Sequence, residues 1–335
     1  MGVNLKELVI KKEINIVDLS GKTIVIDAYN ALYQFLTTIR GPDGSLFTDS
    51  KGNTTSHLIG LLSRTTNFLK QNIRPVFVYD GVTPELKKAE LQRRKEIKQE
   101  AKVLFEQAKK EGDAVLMKKF AARTSRLTEQ MIDDSKKLLA ALGIPFVQAP
   151  AEGEAQAAHM AKNGSGYAAV SQDYDSLLHG APRLIINLNI AGRRKKGLSS
   201  TVVQPEIISL KDTLDSLGIT QEQLICLAML VGTDYSEGVK GIGPKKALAL
   251  VKKYPGSEML FEAACWHKDN SVGWKIVYET IKNMAVTDDY SIVHGKINLT
   301  QLIDFLVGER EFSQARVDAA IQPLLQKQQK SLGDW

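Results

Sequence analysis

The sequence has only two cysteines, Cys226 and Cys265, among its 335 residues. Two thiols cannot build a disulfide scaffold, and they suit a reducing, cytoplasmic compartment. No apolar run reaches about 18 residues and the N-terminus lacks the apolar stretch of a signal peptide, so neither a membrane span nor secretion is predicted. Repeats and low-complexity segments are also absent, and a composition of 43% apolar and 24% charged residues is that of a globular protein.

The charge balance is only mildly basic. The chain carries 44 Lys and Arg residues against 38 Asp and Glu residues, for a net charge of +6. This excess fits an anionic partner, but many metabolic enzymes share it, so the charge alone decides little.

Short apolar runs alternate with amphipathic stretches in the first 190 residues. Helical spacing follows the first run and returns at residues 56–70, so the pattern indicates a mostly parallel α/β sheet with helices on both faces. The predicted strands are KTIVID (22–27), RPVFVYD (74–80), PFVQA (145–149) and YAAVSQ (167–172), with RLIINL (183–188) and TVVQ (201–204) as further ones.

The stretch from 84 to 142 interrupts this rhythm. It has no strand signal and contains two helical patterns, near 85–111 and 113–142, with a break at Gly112. Its part at about 84–133 is rich in charge. We interpret it as a helical insertion over the edge of the sheet. The expected organisation is a core at 1–220, a helical region at 221–325 and a flexible polar tail at 326–335.

Acidic residues follow four successive predicted strands. In an open parallel sheet the carboxyl ends of the strands share one edge, so these side chains should converge there. Two of the four positions hold doublets: the members of the later doublet point the same way in extended chain, whereas the earlier doublet needs an irregular or first-turn position. The residues are Asp27, Asp80, Glu152, Glu154, Asp173 and Asp175.

A single Asp after a strand is commonly the N-cap of the next helix, and for Asp27 or Asp80 alone that interpretation is favoured. Four strands in succession are harder to explain by capping. Two like charges about 5 Å apart repel by roughly 3 kcal/mol at an effective dielectric constant of 20, so six carboxylates need cations. Hard oxygen ligands suit Mg²⁺ or Mn²⁺, and paired divalent ions commonly cleave phosphodiesters, although a single-metal phosphatase stays open.

The run VGTDYSEGVKGIGPKKALALVKK (231–253) predicts a helix–hairpin–helix DNA contact at about 225–255. Gly241 and Gly243 allow a tight turn, and the amides there and at the following helix N-terminus can bind a phosphate. An ordinary glycine turn is the alternative. Asp234, just upstream, is a candidate seventh acid.

Lys87 and Arg94 lie seven residues apart, so a helix places them on one face, two turns apart, where both can reach one phosphate. Taken alone, such a pair is more often a solvated face. The basic run 193–196 is interpreted as a solvated loop.

Several long motifs in this order resemble the flap endonuclease family, structure-specific 5′ nucleases of the XPG type, in its archaeal form. The resemblance runs to about residue 255 and continues more weakly to about 325. The matching stretches are IDAYNALYQFL, GNTTSHLIGLLSRT, VFVYDGVTPELKKAELQRR, APAEGEAQAA, SQDYDSLL and VGTDYSEGVKGIGPKKA.

The resemblance implies a two-Mg²⁺ site, with Mn²⁺ as a substitute. The first four acids match the family's first metal group, and Asp173, Asp175 and Asp234 match its second. Lys87 and Arg94 match the basic pair on the helical arch under which 5′ flaps thread. The family also implies that Tyr33 stacks on a nucleobase and that Gly2 lies close to the site.

The family further implies DNA contacts away from the acids. Arg40, Thr55 and Arg64 match residues that hold the template and a short 3′ flap. The glycine hairpin matches an element that binds duplex DNA and carries K⁺. Its candidate contacts are Gly241, Gly243, Lys245 and Lys246.

The last residues resemble a peptide that docks on the sliding clamp (PCNA). Gln329, Leu332 and Trp335 match its pattern, although the second aromatic residue of that pattern is missing. An unstructured polar tail is the alternative.

We therefore expect a monomeric 5′ flap endonuclease with 5′–3′ exonuclease activity, acting at the nucleoid in replication, including Okazaki fragment processing, and in repair. Two alternatives remain at this point. One is a bubble- or junction-cutting repair nuclease of the same superfamily, and the other is a non-catalytic, clamp-tethered DNA-binding protein.

Overall fold

The computed structural model describes residues 3–190, 192–196 and 199–333. Its centre is a seven-stranded sheet in the order β1-β9-β6-β5-β2-β3-β4. Strands β2 to β6 are parallel to one another, and β9 pairs antiparallel with both β1 and β6. The strands of this sheet are β1 (Lys11–Glu13), β2 (Thr23–Asp27), β3 (Arg74–Tyr79), β4 (Phe146–Gln148), β5 (Ala168–Val170), β6 (Arg183–Ile186) and β9 (Glu206–Ser209).

Helices cover both faces of the sheet because alternate strand residues enter two separate cores. In β2, Val25 packs into one core, while Ile24 and Ile26 pack into the other, as the two-residue period of a strand requires. The helices up to the last sheet strand are α1 (Ala28–Thr38), α2 (Ser56–Lys70), α3 (Lys88–Glu111), α4 (Ala114–Ala121), α5 (Glu129–Ala141), α6 (Gly153–Lys162) and α7 (Asp175–Leu178). The expected mostly parallel α/β fold is confirmed.

The sequence did not predict the two strands β1 and β9 at one side of the sheet. The three residues of β1 have no apolar pattern, so only their pairing with β9 makes them a strand. The predicted strand at 201–204 lies instead in a separate hairpin, formed by β7 (Gly192–Lys196) and β8 (Ser199–Val203). The interpretation of 193–196 as a loop was wrong, because antiparallel pairing with the β-branched residues of β8 supplies that segment with backbone partners.

The helical insertion contains one more break than expected. Helix α3 ends at Gly112, whose φ of 70° suits a glycine C-cap. The second helical pattern is not continuous, since α4 gives way to a short 3-10 turn (Ala122–Thr124) and α5 starts afresh. The Thr128 hydroxyl caps α5 by accepting from the N–H of Met131, so a local cap ends the insertion before the chain returns to the core.

The remaining helices form the second half of the chain. They are α8 (Leu210–Leu217), α9 (Gln221–Val231), α10 (Pro244–Lys253), α11 (Ser257–Ala263), α12 (Trp266–Asp269), α13 (Trp274–Lys282), α14 (Leu299–Ile303) and α15 (Gln314–Gly333). Helices α9 and α10 flank the glycine turn as predicted. Because α9 is buried in one of the sheet's own cores, the boundary at 220 stays a prediction.

The chain end differs from the predicted flexible tail. Residues 326–333 continue α15 as helix. Gln and Lys are good helix formers, and no Gly or Pro interrupts the run between Pro323 and Gly333.

Among the described residues, no helix on its own combines the length and apolarity needed to cross a bilayer. Only α8 and α9 taken together reach that composition, and they meet at a bend of 80°.

Candidate active site

Four neighbouring strands of the sheet end in acids. In the order β5-β2-β3-β4, the carboxyl ends lead to the Asp173–Asp175 pair, Asp27, Asp80 and the Glu152–Glu154 pair. The acids therefore line one continuous edge of the sheet. Asp234, from the turn between α9 and α10, joins them, since its charge acts on Asp80 and Asp175.

Asp27 is both a helix cap and a member of this cluster. Its Oδ1 accepts a hydrogen bond of 3.0 Å from the N–H of Asn30, which caps α1. Asp80 is held by the N–H of Gly153, which donates to its Oδ1 at 2.7 Å. A Cβ at position 153 would lie 2.7 Å from that same oxygen, so only glycine lets the backbone approach so closely.

The two doublets reach the cluster by different routes. Glu152 is the N-cap residue of α6 and Glu154 lies in its first turn, which is the position that the sequence required. The extended geometry expected for Asp173 and Asp175 was wrong, because the chain bends there and Asp175 opens the short helix α7. Oδ1 of Asp175 accepts a hydrogen bond of 3.2 Å from the N–H of Val3.

The carboxylates are buried or half-buried and repel one another. Burial, followed by the charge of Asp80, raises the pKa of Asp27 to about 8. Burial with Asp173 raises the pKa of Asp175 to about 7, and burial with Glu152 raises that of Asp80 to about 6. The pKa of Glu154 is also well above its usual value, through burial and Asp175. Such a cluster needs positive charge to stay ionised.

Two basic side chains of the insertion supply part of that charge. The ammonium of Lys87 pairs with Glu152 and lies 3.3 Å from Oδ2 of Asp234. Burial alone would lower the pKa of Lys87, but the surrounding acids outweigh it and raise the pKa. Arg94 also pairs with Asp234, and Glu90 holds its Nε at 2.8 Å. The insertion therefore reaches the sheet edge through both predicted residues.

The donor atoms of these residues suit divalent cations, although their side chains are not already arranged around a metal position. Within the described ranges, no three His, Cys, Asp or Glu side chains are already arranged to hold a metal ion. The acids nevertheless offer hard oxygen donors, with charge in excess of what Lys87 and Arg94 neutralise. The buried hydroxyl of Tyr235 lies among them with no hydrogen-bond partner in the described part of the chain, so the site also has an unused polar atom.

Tyr33 lies on α1, one turn beyond Tyr29, which itself feels the charges of Asp80 and Asp27. Its ring is half-buried and faces Lys98 of the insertion, whose ammonium lies 4.7 Å from the ring centroid. The predicted stacking residue therefore lies one helical turn from Tyr29 and contacts α3 through Lys98.

The other predicted DNA contacts lie away from the acids. Arg40 is engaged internally, donating to the carbonyls of Leu36 at 2.8 Å and Gly44 at 2.7 Å. Thr55 is buried at the start of α2. Arg64 lines a groove of about 480 Å³ between α2 and α15.

The four predicted contacts of the hairpin are exposed to solvent, and two of them, Gly241 and Gly243, shape the turn. Gly241 has a φ of 80°, and Gly243 is the N-cap residue of α10. Lys246 donates to the carbonyl of Gly241 at 3.0 Å, and Lys245 lies 3.5 Å from Glu7. Of the predicted clamp-binding residues, Gln329 and Leu332 lie in α15, whereas Trp335 is outside the described residues. Gly2, which was predicted to lie close to the acids, is also outside them.

Sequence reasoning missed two polar residues of the site, Asn30 and Tyr235. Each lies close in sequence to a predicted acid, since Asn30 comes three residues after Asp27 and Tyr235 directly follows Asp234. The spacing of Asn30 would have predicted its backbone capping bond, but not the contact of its side chain with a distant strand.

Known proteins share this arrangement. Residues 1–101 match the XPG N-terminal domain, and residues 143–234 match the XPG I-region. A flap endonuclease 1 from Ignicoccus hospitalis is 46% identical over 338 residues, covering 99% of this chain and 96% of the relative. One from Hyperthermus butylicus is 48% identical over 330 residues, covering 97% and 94%. The chain belongs to the flap endonuclease 1 family.

Solved structures agree with this membership. The flap endonuclease 1 of Methanococcus jannaschii matches with a TM-score of 0.76 and 39% identity, covering 96% of this chain and 98% of that one. The catalytic core of Rad2 in complex with DNA substrate matches with a TM-score of 0.67 and 23% identity, covering 94% and 96%, which shows the fold. This chain is thus a nuclease that hydrolyses phosphodiester bonds. Its family, the flap endonuclease 1 family, generally depends on divalent metals.

Proposed function

We propose that this protein cleaves 5′-flapped and nicked duplex DNA near the junction of single and double strands, with 5′–3′ exonuclease activity. The observation that carries the proposal is the meeting of seven carboxylates at one sheet edge with Lys87 and Arg94 of the arch, which is the helical insertion at 84–133. Membership of the flap endonuclease 1 family supports it.

The cofactor we propose is a pair of Mg²⁺ ions, with Mn²⁺ as a substitute. Asp27, Asp80, Glu152 and Glu154 would hold one ion, and the acids after β5, together with Asp234, would hold the other. Divalent cations held by carboxylates supply a nucleophile at neutral pH and stabilise the oxygens that attack and leave.

The chain's own side chains perform the remaining tasks. Lys87 and Arg94 already reach into the acid edge, so they can neutralise a scissile phosphate as its charge builds. Tyr33 offers an aromatic face beside that edge for an unpaired base. Binding of the duplex falls to the hairpin, where the amides around Gly241 and Gly243, with Lys245 and Lys246, would contact the backbone. A K⁺ ion held by the same turn would add positive charge there.

We further propose that Arg40, Thr55 and Arg64 hold the template and a 3′ flap, and that Gly2 lies close to the acids. Gln329, Leu332 and Trp335 would tether the enzyme to a sliding clamp. The protein would act as a cytoplasmic, nucleoid-associated monomer in replication and repair.

Product mapping on a labelled double-flap substrate tests the function. We expect cleavage near the junction with Mg²⁺ and none in excess EDTA. The Asp175→Ala variant should bind the flap without cutting it. Normal cutting by Asp175→Ala, or activity that survives EDTA, would refute the metal mechanism. DNA binding by the wild type without cleavage of any DNA would instead favour a non-catalytic role.

A further inference from the structure

Asn30 connects the ends of two acid-bearing strands. Its backbone N–H donates to Oδ1 of Asp27 at 3.0 Å, and its side-chain amide donates to Oδ2 of Asp173 at 3.1 Å. The side-chain carbonyl of Asn30 in turn accepts from the N–H of Gln172 at 3.1 Å. Asn30 thus contacts the end of β2 through its backbone and the segment after β5 through its side chain, and the partner Asp173 is 143 residues away in the sequence.

Ser171 closes the same connection from the other side. Its hydroxyl donates to Oδ2 of Asp27 at 3.3 Å and accepts from the N–H of Asp173, also at 3.3 Å. Asp27, Ser171, Asp173 and Asn30 therefore form a closed ring of hydrogen bonds. We name its two uncharged members, Asn30 and Ser171, the neutral bridge.

The bridge joins two side chains whose charges repel each other. The charge of Asp173 acts repulsively on Asp27, and both lie at the same edge of the sheet. An amide and a hydroxyl can hold two carboxylates at a set spacing without adding charge. A lysine in the same place would neutralise the oxygens and compete with a metal ion for them.

We propose that Asn30, with Ser171, is a positioning residue that sets the spacing between Asp27 of the first metal group and Asp173 of the second. This inference rests on the proposed two-cation site. Ligands fixed by surrounding hydrogen bonds bind metals more tightly, and loss of such support typically costs 10- to 100-fold in affinity.

The test is Mn²⁺ binding to the full-length protein without DNA, measured by calorimetry and by electron paramagnetic resonance. Asn30→Leu keeps a similar volume and the backbone N–H but removes both side-chain hydrogen bonds. Of the two Mn²⁺ sites, we expect the one with the lower affinity to bind Mn²⁺ about 10-fold or more weakly in Asn30→Leu than in the wild type. An unchanged isotherm in folded Asn30→Leu protein would overturn the inference, even if cleavage were lost.

Ser171→Ala provides a second, smaller change in the same bridge. Since both residues position the same pair of acids, the double variant should lose little more Mn²⁺ affinity than the more affected single variant. Fully additive losses would contradict a shared bridge. This comparison stays decisive if Asn30→Leu folds poorly, because Asn30→Ser can replace it in the cycle.

Asn163→Leu is the matched control. The amide of Asn163 also donates to polar oxygens, the Tyr290 hydroxyl at 2.8 Å and Oδ1 of Asp288 at 3.4 Å, but at the far end of α6. Its Mn²⁺ isotherm should equal that of the wild type, and an equal loss there would overturn the inference. Asp175→Ala separates the two proposals: if it abolishes cleavage while Asn30→Leu binds Mn²⁺ normally, only the bridge is refuted.

Discussion

At the scale of single residues, some side chains of the site have both a structural role at the end of a helix and a place among the acids. Asp27 caps α1 with one oxygen and faces the other acids, so the capping and cluster interpretations are both correct for it. Lys87 likewise ends a short 3-10 turn before α3 while its ammonium reaches two acids. A residue type alone therefore does not separate a structural from a catalytic role.

Lys87→Ala should lower the single-turnover cleavage rate by roughly 100- to 1,000-fold and change flap affinity far less, because the contact gains strength as charge develops on the phosphate. The rate and the dissociation constant, measured separately, check this. Lys88→Ala is the control, since Lys88 is exposed and pairs only with Glu85 among the contacts described for it. Equal losses of rate and affinity in Lys87→Ala would contradict the role.

At the scale of elements, the arch and the hairpin are built by different means. The arch contacts the acids through two basic side chains, Lys87 in the turn before α3 and Arg94 in α3. The hairpin instead depends on backbone that only glycine adopts. At Gly238, with a φ of 78°, an added Cβ would lie 2.6 Å from the N of Gly232, whereas at Gly241, with a φ of 80°, it would meet nothing within 4 Å.

Gly238→Ala should therefore lower the free energy of unfolding by roughly 2–4 kcal/mol, because it adds a steric clash to the strain of a left-handed conformation. Gly241→Ala, the control, has the strain alone and should lose about 1 kcal/mol. Urea unfolding of both variants measures the difference. Similar losses would show that close packing of the turn is unimportant.

Lys245→Ala tests the DNA role of the same element. Removing one phosphate contact should weaken duplex binding broadly across sequences and reduce the salt slope of the affinity by about one unit. Fluorescence anisotropy at several salt concentrations measures that slope. Lys275, an exposed lysine on α13 beside Glu258, is the control, and a wild-type slope in Lys245→Ala would rule out the contact.

At the scale of the whole molecule, the core contains a histidine that must stay neutral. His57 of α2 is fully buried, and neither ring nitrogen has a hydrogen-bond partner among the described residues. Burial lowers its pKa to about 4, with Asp134 opposing and Arg310 assisting the shift. Those two residues form a buried ion pair at 2.7 Å that joins α5 to the segment before α15.

The protein should lose stability in acid because of His57. Its pKa is lower in the folded than in the unfolded state, so the unfolded state binds more protons below about pH 6.5 and stability falls from there toward pH 4. Between pH 7 and pH 4.5 this amounts to about 2 kcal/mol. The free energy of unfolding, measured at both pH values, should fall by that amount more in the wild type than in His57→Gln. Equal falls in the two proteins would contradict the prediction.

How far the sequence alone could lead depends on the range of the interactions involved. Capping, strand propensity and the family motifs are local, so the acid-bearing strand ends, the glycine hairpin and the first arch helix were all predictable from neighbouring residues. The extra break near Thr128, the β7–β8 hairpin and the helical end at 326–333 were missed, because weak local preferences left those segments to be decided by their partners.

The primary structure thus determined that acids follow four of the parallel strands and that basic residues lie on an inserted helix, since these are matters of order and periodicity. Only the tertiary structure decided that β5, β2, β3 and β4 are consecutive neighbours, that Asp234 and Lys87 meet there, and that Asn30 joins Asp27 to Asp173. Those contacts link residues far apart in the chain, and their geometry follows from how the sheet and its two cores pack together.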